Sequence, residues 1–240
     1  MTSCKTPLVS VIIPTYNRFK YVINAIKGIQ NQTYKNIEII VINDCSQEKD
    51  YYSHNWDNDV NIIHLKNNSK QKFGYGCVGY VRNKGIEQAK GKYVAFCDDD
   101  DYWLPNKLET QIKALKENSN CKMCCTDGYI GKGPYNVNIE YKKYNAEYYF
   151  DILNKKYKNK LSKNGFPKVW DLNFLKIHNC AITSSMIIER KLLRKINGMP
   201  FNRRGQDYKC WLNALHHTKC LYLTDTCFYY DTGHGDGKNH

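Results

Sequence analysis

Four consecutive carboxylates, Asp98-Asp99-Asp100-Asp101, stand in a chain that is otherwise basic, with 36 Lys and Arg against 23 Asp and Glu and a formal charge of +13. Carboxylates this close raise one another's pKa unless a cation neutralises them. Hard oxygen donors suit Mg²⁺ or Mn²⁺, ions that also bridge phosphate oxygens. In an extended segment Asp98 and Asp100 share a side, so those two address one ion and Asp99 lies between them as a spacer. Glu109, at the twelfth place counting from Asp98, raises a calcium loop as a competitor. Tyr102 and Trp103 then fill the fifth and sixth places, where that loop needs an oxygen ligand and a glycine. A solvated acidic turn is the plain alternative.

Other residues suit the same ligand chemistry. Pro14-Thr15-Tyr16-Asn17-Arg18 and Asn43-Asp44 are polar steps that each follow an apolar run. A carboxylate at Asp44 can accept from a ribose hydroxyl or a base N–H, or it can cap a helix. Arg82 has the reach and charge for a phosphate or base, and equally for an ordinary surface position. Trp103 offers a face for a sugar or an anchor for the start of a helix. Gly74-x-Gly76-x-x-Gly79 matches the dinucleotide-binding spacing literally. That fingerprint needs a strand directly before it, and residues 67–72 are polar and loop-like, so it reads as a decoy.

These groups need elements to hold them. Residues 8–13 read as a buried strand stopped by Pro14. Tyr21, Ala25, Ile26 and Ile29 then recur at helical spacing to about Gln32. Residues 37–42 form a second β-branched run ending at Asn43-Asp44. This strand–helix–strand unit implies parallel strands. Residues 62–65 predict a third strand, 80–89 a helix ended by Gly91, and 92–97 a fourth strand leading into the aspartates. Pro105 suits the first turn of a helix with Leu104, Leu108, Ile112 and Leu115 on one stripe. Residues 122–126 and 181–188 predict later strands. Between them, about 128–179 is rich in Tyr, Lys and Asn without clear periodicity. In an open parallel sheet, ligands bind beyond the carboxyl ends of the strands, and the polar clusters all fall there.

Composition narrows the class. The chain has 240 residues, 42% hydrophobic, enough for one α/β domain or two fused lobes with a shared core. No run approaches the roughly 20 apolar residues of a membrane span. The first residues show no signal-type hydrophobic segment, so a soluble cytoplasmic protein is expected. The 11 cysteines include Cys97, Cys124 and Cys125 in apolar runs, where reduced cysteine behaves as a small hydrophobe. Cys121-x-x-Cys124 lacks the second pair that a zinc site needs. The excess of Lys and Arg attracts polyanions or simply covers a solvated surface; a nucleic-acid partner is not expected.

Taken together, Val9-Ser-Val-Ile-Ile-Pro-Thr-Tyr-Asn-Arg18, Ile39-Ile-Val-Ile-Asn-Asp44, Arg82-Asn-Lys-Gly85 and Gly91-Lys-Tyr-Val-Ala-Phe-Cys-Asp-Asp-Asp-Asp-Tyr-Trp-Leu-Pro105 resemble glycosyltransferase family 2. The resemblance is dense over residues 8–118, thins through the middle and returns over 184–230. It implies an α/β fold with a Rossmann-like, mostly parallel central sheet flanked by helices, the A-type glycosyltransferase fold. Residues 1–118 would be the nucleotide-sugar-binding half and 119–240 the acceptor-binding half, fused as one catalytic domain.

The resemblance also implies roles. Thr15 and Asp44 would contact the nucleoside, with Pro14, Tyr16, Arg18, Arg82 and Asp99 around the donor. Asp98 and Asp100 would be the metal-associated pair, with Asp100 the expected ligand. Asp101 and Trp103 would support the donor sugar or acceptor. Gly205-Gln-Asp-Tyr208 matches a Glu-Asp motif whose Asp is the general base, which makes Asp207 the candidate base and places Gln206 where the family has Glu. His234, in Tyr230-Asp-Thr-Gly-His-Gly, resembles a C-terminal His that contacts metal or diphosphate in some relatives. The expected activity is inverting, Mn²⁺- or Mg²⁺-assisted transfer from a nucleotide-diphosphate sugar, UDP-linked, to a glycan, glycolipid or protein hydroxyl. The alternative is a catalytically degenerate nucleotide-sugar-binding protein of the same fold. A nucleotidyltransferase would need a glycine-rich basic signature after the first strand, which Pro14 to Arg18 does not supply.

Overall fold

A computed structural model describes residues 6–233 apart from 160 and 162–164; His234 therefore lies outside the described residues. The β-branched runs alternate their side chains between two apolar layers, which makes them the buried strands of an α/β sandwich. In chain order the elements are β1 (Val9–Thr15), α1 (Phe19–Gln30), β2 (Ile37–Asn43), α2 (Asp50–Ser53), β3 (Val60–His64), α3 (Ser69–Phe73), α4 (Val78–Gln88), β4 (Tyr93–Phe96), β5 (Tyr102–Trp103), α5 (Lys107–Glu117) and β6 (Cys121–Gly131). There follow β7 (Lys142–Lys143), a π-helical turn (Tyr144–Tyr148), α6 (Phe150–Lys156), β8 (Val169–Trp170), α7 (Leu172–Ile177), a 3₁₀ turn (Thr183–Ser185), β9 (Ile187–Glu189), α8 (Arg190–Lys195), α9 (Gln206–Leu215) and β10 (Lys219–Asp231).

One sheet runs in the order β3-β2-β1-β4-β9-β6-β10-β5. β1 pairs in parallel with both β2 and β4, β2 with β3, and β6 with β10. β9 lies antiparallel between β4 and β6, so the sheet continues from the first half of the chain into the second. The fold is thus α/β with a mostly parallel sheet, as expected. Ile12, Ile40, Ile42, Val94 and Phe96 face one core with α4, α8 and α9. Val11, Ile13, Ile39, Val41 and Ala95 face the other, with α1 and α5. α4 lies so close to β1 that a Cβ on Gly85 would come within 2.5 Å of Ile12 Cγ2. The chain leaves β1 toward β2 on one side and returns to β4 on the other. This order reversal opens a crevice at the carboxyl ends of β1 and β4.

Two local expectations change, and a third, that the glycine motif follows no strand, holds. β1 does not stop at Pro14; it runs to Thr15, with Pro14 opposite Ile42 of β2. β4 pairs only as far as Ile12, so at Pro14 one side of β1 has no ladder to complete and the missing N–H costs little. The strand predicted over 181–188 is confined to Ile187–Glu189, because the residues before it coil into the 3₁₀ turn. The Ser185 hydroxyl donates to the Ile182 carbonyl at 2.6 Å, a local bond that competes with a ladder. The Gly74-x-Gly76-x-x-Gly79 segment follows no strand; Gly74 ends α3 in the left-handed region at φ 77°. No helix among the described residues is long and apolar enough to cross a membrane.

Candidate active site

The β1–α1 junction brings the first cluster to the crevice. Asn17 turns the chain at φ 49°, a left-handed conformation that Asn tolerates, and its side chain accepts from the Gln47 N–H at 2.7 Å. Thr15 Oγ1 lies 2.5 Å from the Tyr51 hydroxyl, which also accepts from the Arg18 N–H at 3.1 Å. Pro14 and Thr15 are buried, while Tyr16 is half-buried. Arg18 turns its guanidinium toward the aspartate run, where Nη1 donates to Asp99 Oδ1 at 3.1 Å and Asp100 Oδ2 at 2.9 Å. Burial alone would lower the pKa of Arg18, but these two carboxylates raise it overall.

The aspartates follow β4 after Cys97 and are not extended as expected. The Asp101 N–H donates to the Asp98 carbonyl at 3.1 Å, so the run closes a turn. The alternation that would put Asp98 and Asp100 on one side of a strand therefore does not apply. Asp98 is fixed through its backbone N–H, which donates to the Ser184 hydroxyl at 2.9 Å, and its carboxylate is ion-paired with Arg82. Asp99 is buried and its carboxyl is pushed up to about 6, by burial first, with Arg18 opposing. Asp100 is pushed up to about 7 by burial and then by Asp99 and Asp98. Asp101 is fully buried and raised well above the usual carboxylate range, by burial and then by Asp100 and Asp98. One Asp101 oxygen accepts from the Asp231 N–H at 3.1 Å. Its other oxygen has no hydrogen-bond partner among the described residues.

Asp44 has its own engagement. Its carboxylate accepts from the Ser69 N–H at 2.8 Å, the Ser69 hydroxyl at 2.6 Å and the Asn68 amide at 3.2 Å. The acid is thereby joined to the start of α3. Burial raises its pKa and the Ser69 bonds oppose that rise. A carboxylate has about four lone-pair directions, so one remains for a ligand.

On the other side of the crevice Asp207 opens α9, and its carboxylate accepts from the Thr183 hydroxyl at 3.1 Å. Asp207, Gln206, Asp98 and Arg82 border one cavity of about 600 Å³. Gln206 Oε1 is buried without a hydrogen-bond partner among the described residues. Trp103 is elsewhere: it is fully buried, packs in the α1–α5 core and carries Lys107 Nζ 4.2 Å from its ring centroid. Of the two roles open to it in the sequence, sugar platform or helix-start anchor, the structure supplies the anchor.

Several residues at the site escaped sequence reasoning. Tyr51 and Ser184 hold Thr15 and Asp98; Tyr51 sits in a segment without periodicity, and Ser184 lies in a run predicted as strand, which gave no sign of a turn serving Asp98. Tyr144, Tyr230, Arg203 and Arg204 complete the cavity rim. Behind the aspartates lies a buried Lys107, whose Nζ donates to Gln111 Oε1 at 2.6 Å and the Ser185 carbonyl at 3.2 Å. Its signal was present: Lys107 and Gln111 are four apart and adjoin the apolar stripe of α5.

Among the described residues no three His, Cys, Asp or Glu side chains form a ready metal cluster. The donors nevertheless suit Mg²⁺ or Mn²⁺: such ions take one or two carboxylates and fill their remaining positions with phosphate oxygens and water. Asp98 and Asp100 offer those carboxylates. The carboxyls of Asp99 and Asp100 are raised first by burial and then by neighbouring carboxylates, with Arg18 opposing the rise.

An α/β sheet with this order reversal, an acidic run beyond β4 and a second carboxylate across the crevice define the A-type glycosyltransferase fold. Solved structures of that fold superimpose on nearly the whole chain. The crystal structure of S. aureus TarS matches with a TM-score of 0.69 at 21% identity, covering 95% of this chain and 37% of that one. TarS 1–349 in complex with UDP-GlcNAc matches at 0.67 and 19%, covering 96% of this chain and 60% of that one. The mannosyltransferase PcManGT from Pyrobaculum calidifontis, in complex with GDP-Man and Mn²⁺, matches at 0.64 and 16%, covering 95% and 57%. At these identities the likeness is one of fold.

Residues 10–193 match glycosyl transferase family 2, and the chain belongs to that family. An uncharacterized glycosyltransferase of Rickettsia typhi is 33% identical over 215 residues, 88% of this chain and 59% of the relative. One of Methanocaldococcus jannaschii is 32% identical over 213 residues, 87% of this chain and 65% of the relative. The chain thus spans about three-fifths of the length of these relatives.

Proposed function

We propose that the protein transfers a sugar from a nucleotide diphosphate donor, UDP-linked, to a hydroxyl acceptor with inversion, Asp207 acting as general base. Residues 1–118 bind the donor and 119–240 the acceptor. The observation that carries this reading is the single cavity bordered by Asp98 and Arg82 on the donor side and by Asp207 on the other. An inverting displacement needs that layout, with a base on the face of the anomeric carbon opposite the leaving diphosphate. TarS with UDP-GlcNAc and PcManGT with GDP-Man support a nucleotide-sugar donor on this fold.

In this mechanism Thr15 and the remaining lone pair of Asp44 receive the nucleoside. Arg82 orients Asp98 and lies beside the diphosphate. Arg18 fixes Asp99 and Asp100, so that the run keeps one shape when the donor enters. Asp98 and Asp100 would hold Mn²⁺ or Mg²⁺, with His234 a further candidate, and a bound ion would offset the charge of the departing diphosphate. Asp207, oriented by Thr183, takes the proton of the acceptor hydroxyl as its oxygen attacks.

The test is release of nucleoside diphosphate from a panel of nucleotide sugars, with Mn²⁺, with Mg²⁺ and with chelator. Metal-dependent release is expected. Asp207→Asn should retain UDP affinity within about twofold while transfer falls by about a hundredfold or more, the usual scale for losing a positioned base. Turnover unchanged in that variant would remove Asp207 from the role. Gln206, standing where the family has Glu beside the base, favours a second reading, a protein that binds the donor without turning it over. UDP binding without release from any donor would select it.

A further inference from the structure

The cavity has two walls that the donor chemistry leaves unused. Arg203 and Arg204 lie on its rim, both exposed, at the end of the loop that leads through Gly205 into α9. Neither forms an ion pair or hydrogen bond among the described residues. Arg18 and Arg82, in contrast, are both committed to the aspartates. Tyr144 and Tyr230 also border the cavity, their rings edge to face at 5.6 Å and 86°. Such ring faces suit the apolar face of a pyranose, while guanidinium groups suit carboxylates and phosphates.

An acceptor must place its hydroxyl at Asp207, only three residues beyond Arg204. Groups flanking that hydroxyl therefore meet the arginine rim. A negatively charged acceptor would be repelled by Asp98 and Asp207 unless cations stood nearby, and Arg203 and Arg204 are placed to supply them. Arg82 cannot, because its charge is spent on Asp98.

From this rim we infer that the acceptor is an anionic glycan, a sugar bearing a carboxylate or phosphate: its ring packs on Tyr144 and Tyr230, and its charged group pairs with Arg203 and Arg204. The inference rests on the proposed transferase reading, and it differs in placing these arginines with the acceptor and not with the donor diphosphate.

Calorimetry on the full chain separates the two. The protein is first titrated with UDP in Mn²⁺. The UDP-saturated protein is then titrated with glucose, glucuronate and glucose 6-phosphate, and the series is repeated with Arg203→Ala/Arg204→Ala and with Tyr144→Ala. Glucuronate or glucose 6-phosphate should bind at least about tenfold more tightly than glucose, a preference weakened by added salt. The double arginine variant should erase that preference while its UDP affinity stays within twofold. Tyr144→Ala should weaken binding of all three sugars. Acidic sugars binding no better than glucose would overturn the inference. So would a double variant that loses UDP affinity, which would assign the arginines to the diphosphate. Failure of UDP itself to bind the wild-type protein would instead remove the donor-site reading beneath it.

Discussion

Arg18 serves two carboxylates from one nitrogen, at 3.1 and 2.9 Å, in a place where its side chain is only 7% exposed. Removing one partner of a buried charge cluster leaves the others uncompensated, at a cost of about 3–5 kcal/mol. Arg18→Leu should therefore lower unfolding stability on that scale, measured by urea denaturation, and loss of less than about 1 kcal/mol would contradict the arrangement. Lys107 presents the opposite case. Burial lowers its pKa to about 8, below the free-lysine value of 10.5. Between those values the unfolded chain holds the proton that the folded chain has released, so stability attributable to this group rises with pH. Below about 8 the lysine is charged in both states and the cost of burying that charge is constant. The Tm of the wild type relative to Lys107→Met should then climb from pH 8 to 10 and stay level below 8. A flat difference across that range would contradict a strained lysine.

The elements set how closely the site's two sides approach. A Cβ on Gly79, near the start of α4, would lie 2.6 Å from the Pro200 carbonyl in the loop before α9. Backbone cannot yield as a side chain does, so Gly79→Ala should push that loop away, at about 1–3 kcal/mol. It should also reduce nucleoside diphosphate release in the transfer assay, because the loop leads to Gln206 and Asp207. Gly85→Ala meets only the Ile12 side chain, so it should lower stability while sparing turnover of the folded fraction. Equal turnover per folded molecule in both variants would separate the loop from the chemistry.

This scale also shows what could be seen in the sequence. The apolar runs that became β1, β2 and β4 are continuous because both faces of each strand are buried, and the acidic run comes just after the last of them. Asp44 was visible as a candidate, but its commitment to Ser69 was not, since Ser69 opens a short helix with no apolar period. The described residues between 128 and 179 gave no pattern because they form a π-helical turn and short helices and strands that pack in part through tyrosines. Tyr144 and its partner Tyr230 are 86 positions apart and meet only through the sheet. A buried tryptophan and a sugar-stacking one look alike in one dimension; Trp103 is distinguished by its complete burial in the α1–α5 core.

For the whole molecule, one sheet joins the two halves. β9, drawn from the second half, lies against β4 and follows the turn whose Ser184 holds the Asp98 backbone. The same turn offers Thr183 to Asp207, so Asp98 and Asp207 share a support of three residues, Thr183–Ser185. The central claim is that Asp98 and Asp100 hold a divalent cation together with the nucleotide diphosphate. Crystals grown with UDP and Mn²⁺, with anomalous scattering recorded at the manganese edge, address it most directly. The account predicts a single strong peak between the Asp98 and Asp100 carboxylates and the UDP phosphates. UDP bound in the crevice with manganese elsewhere, or with no peak at the aspartates, would contradict it.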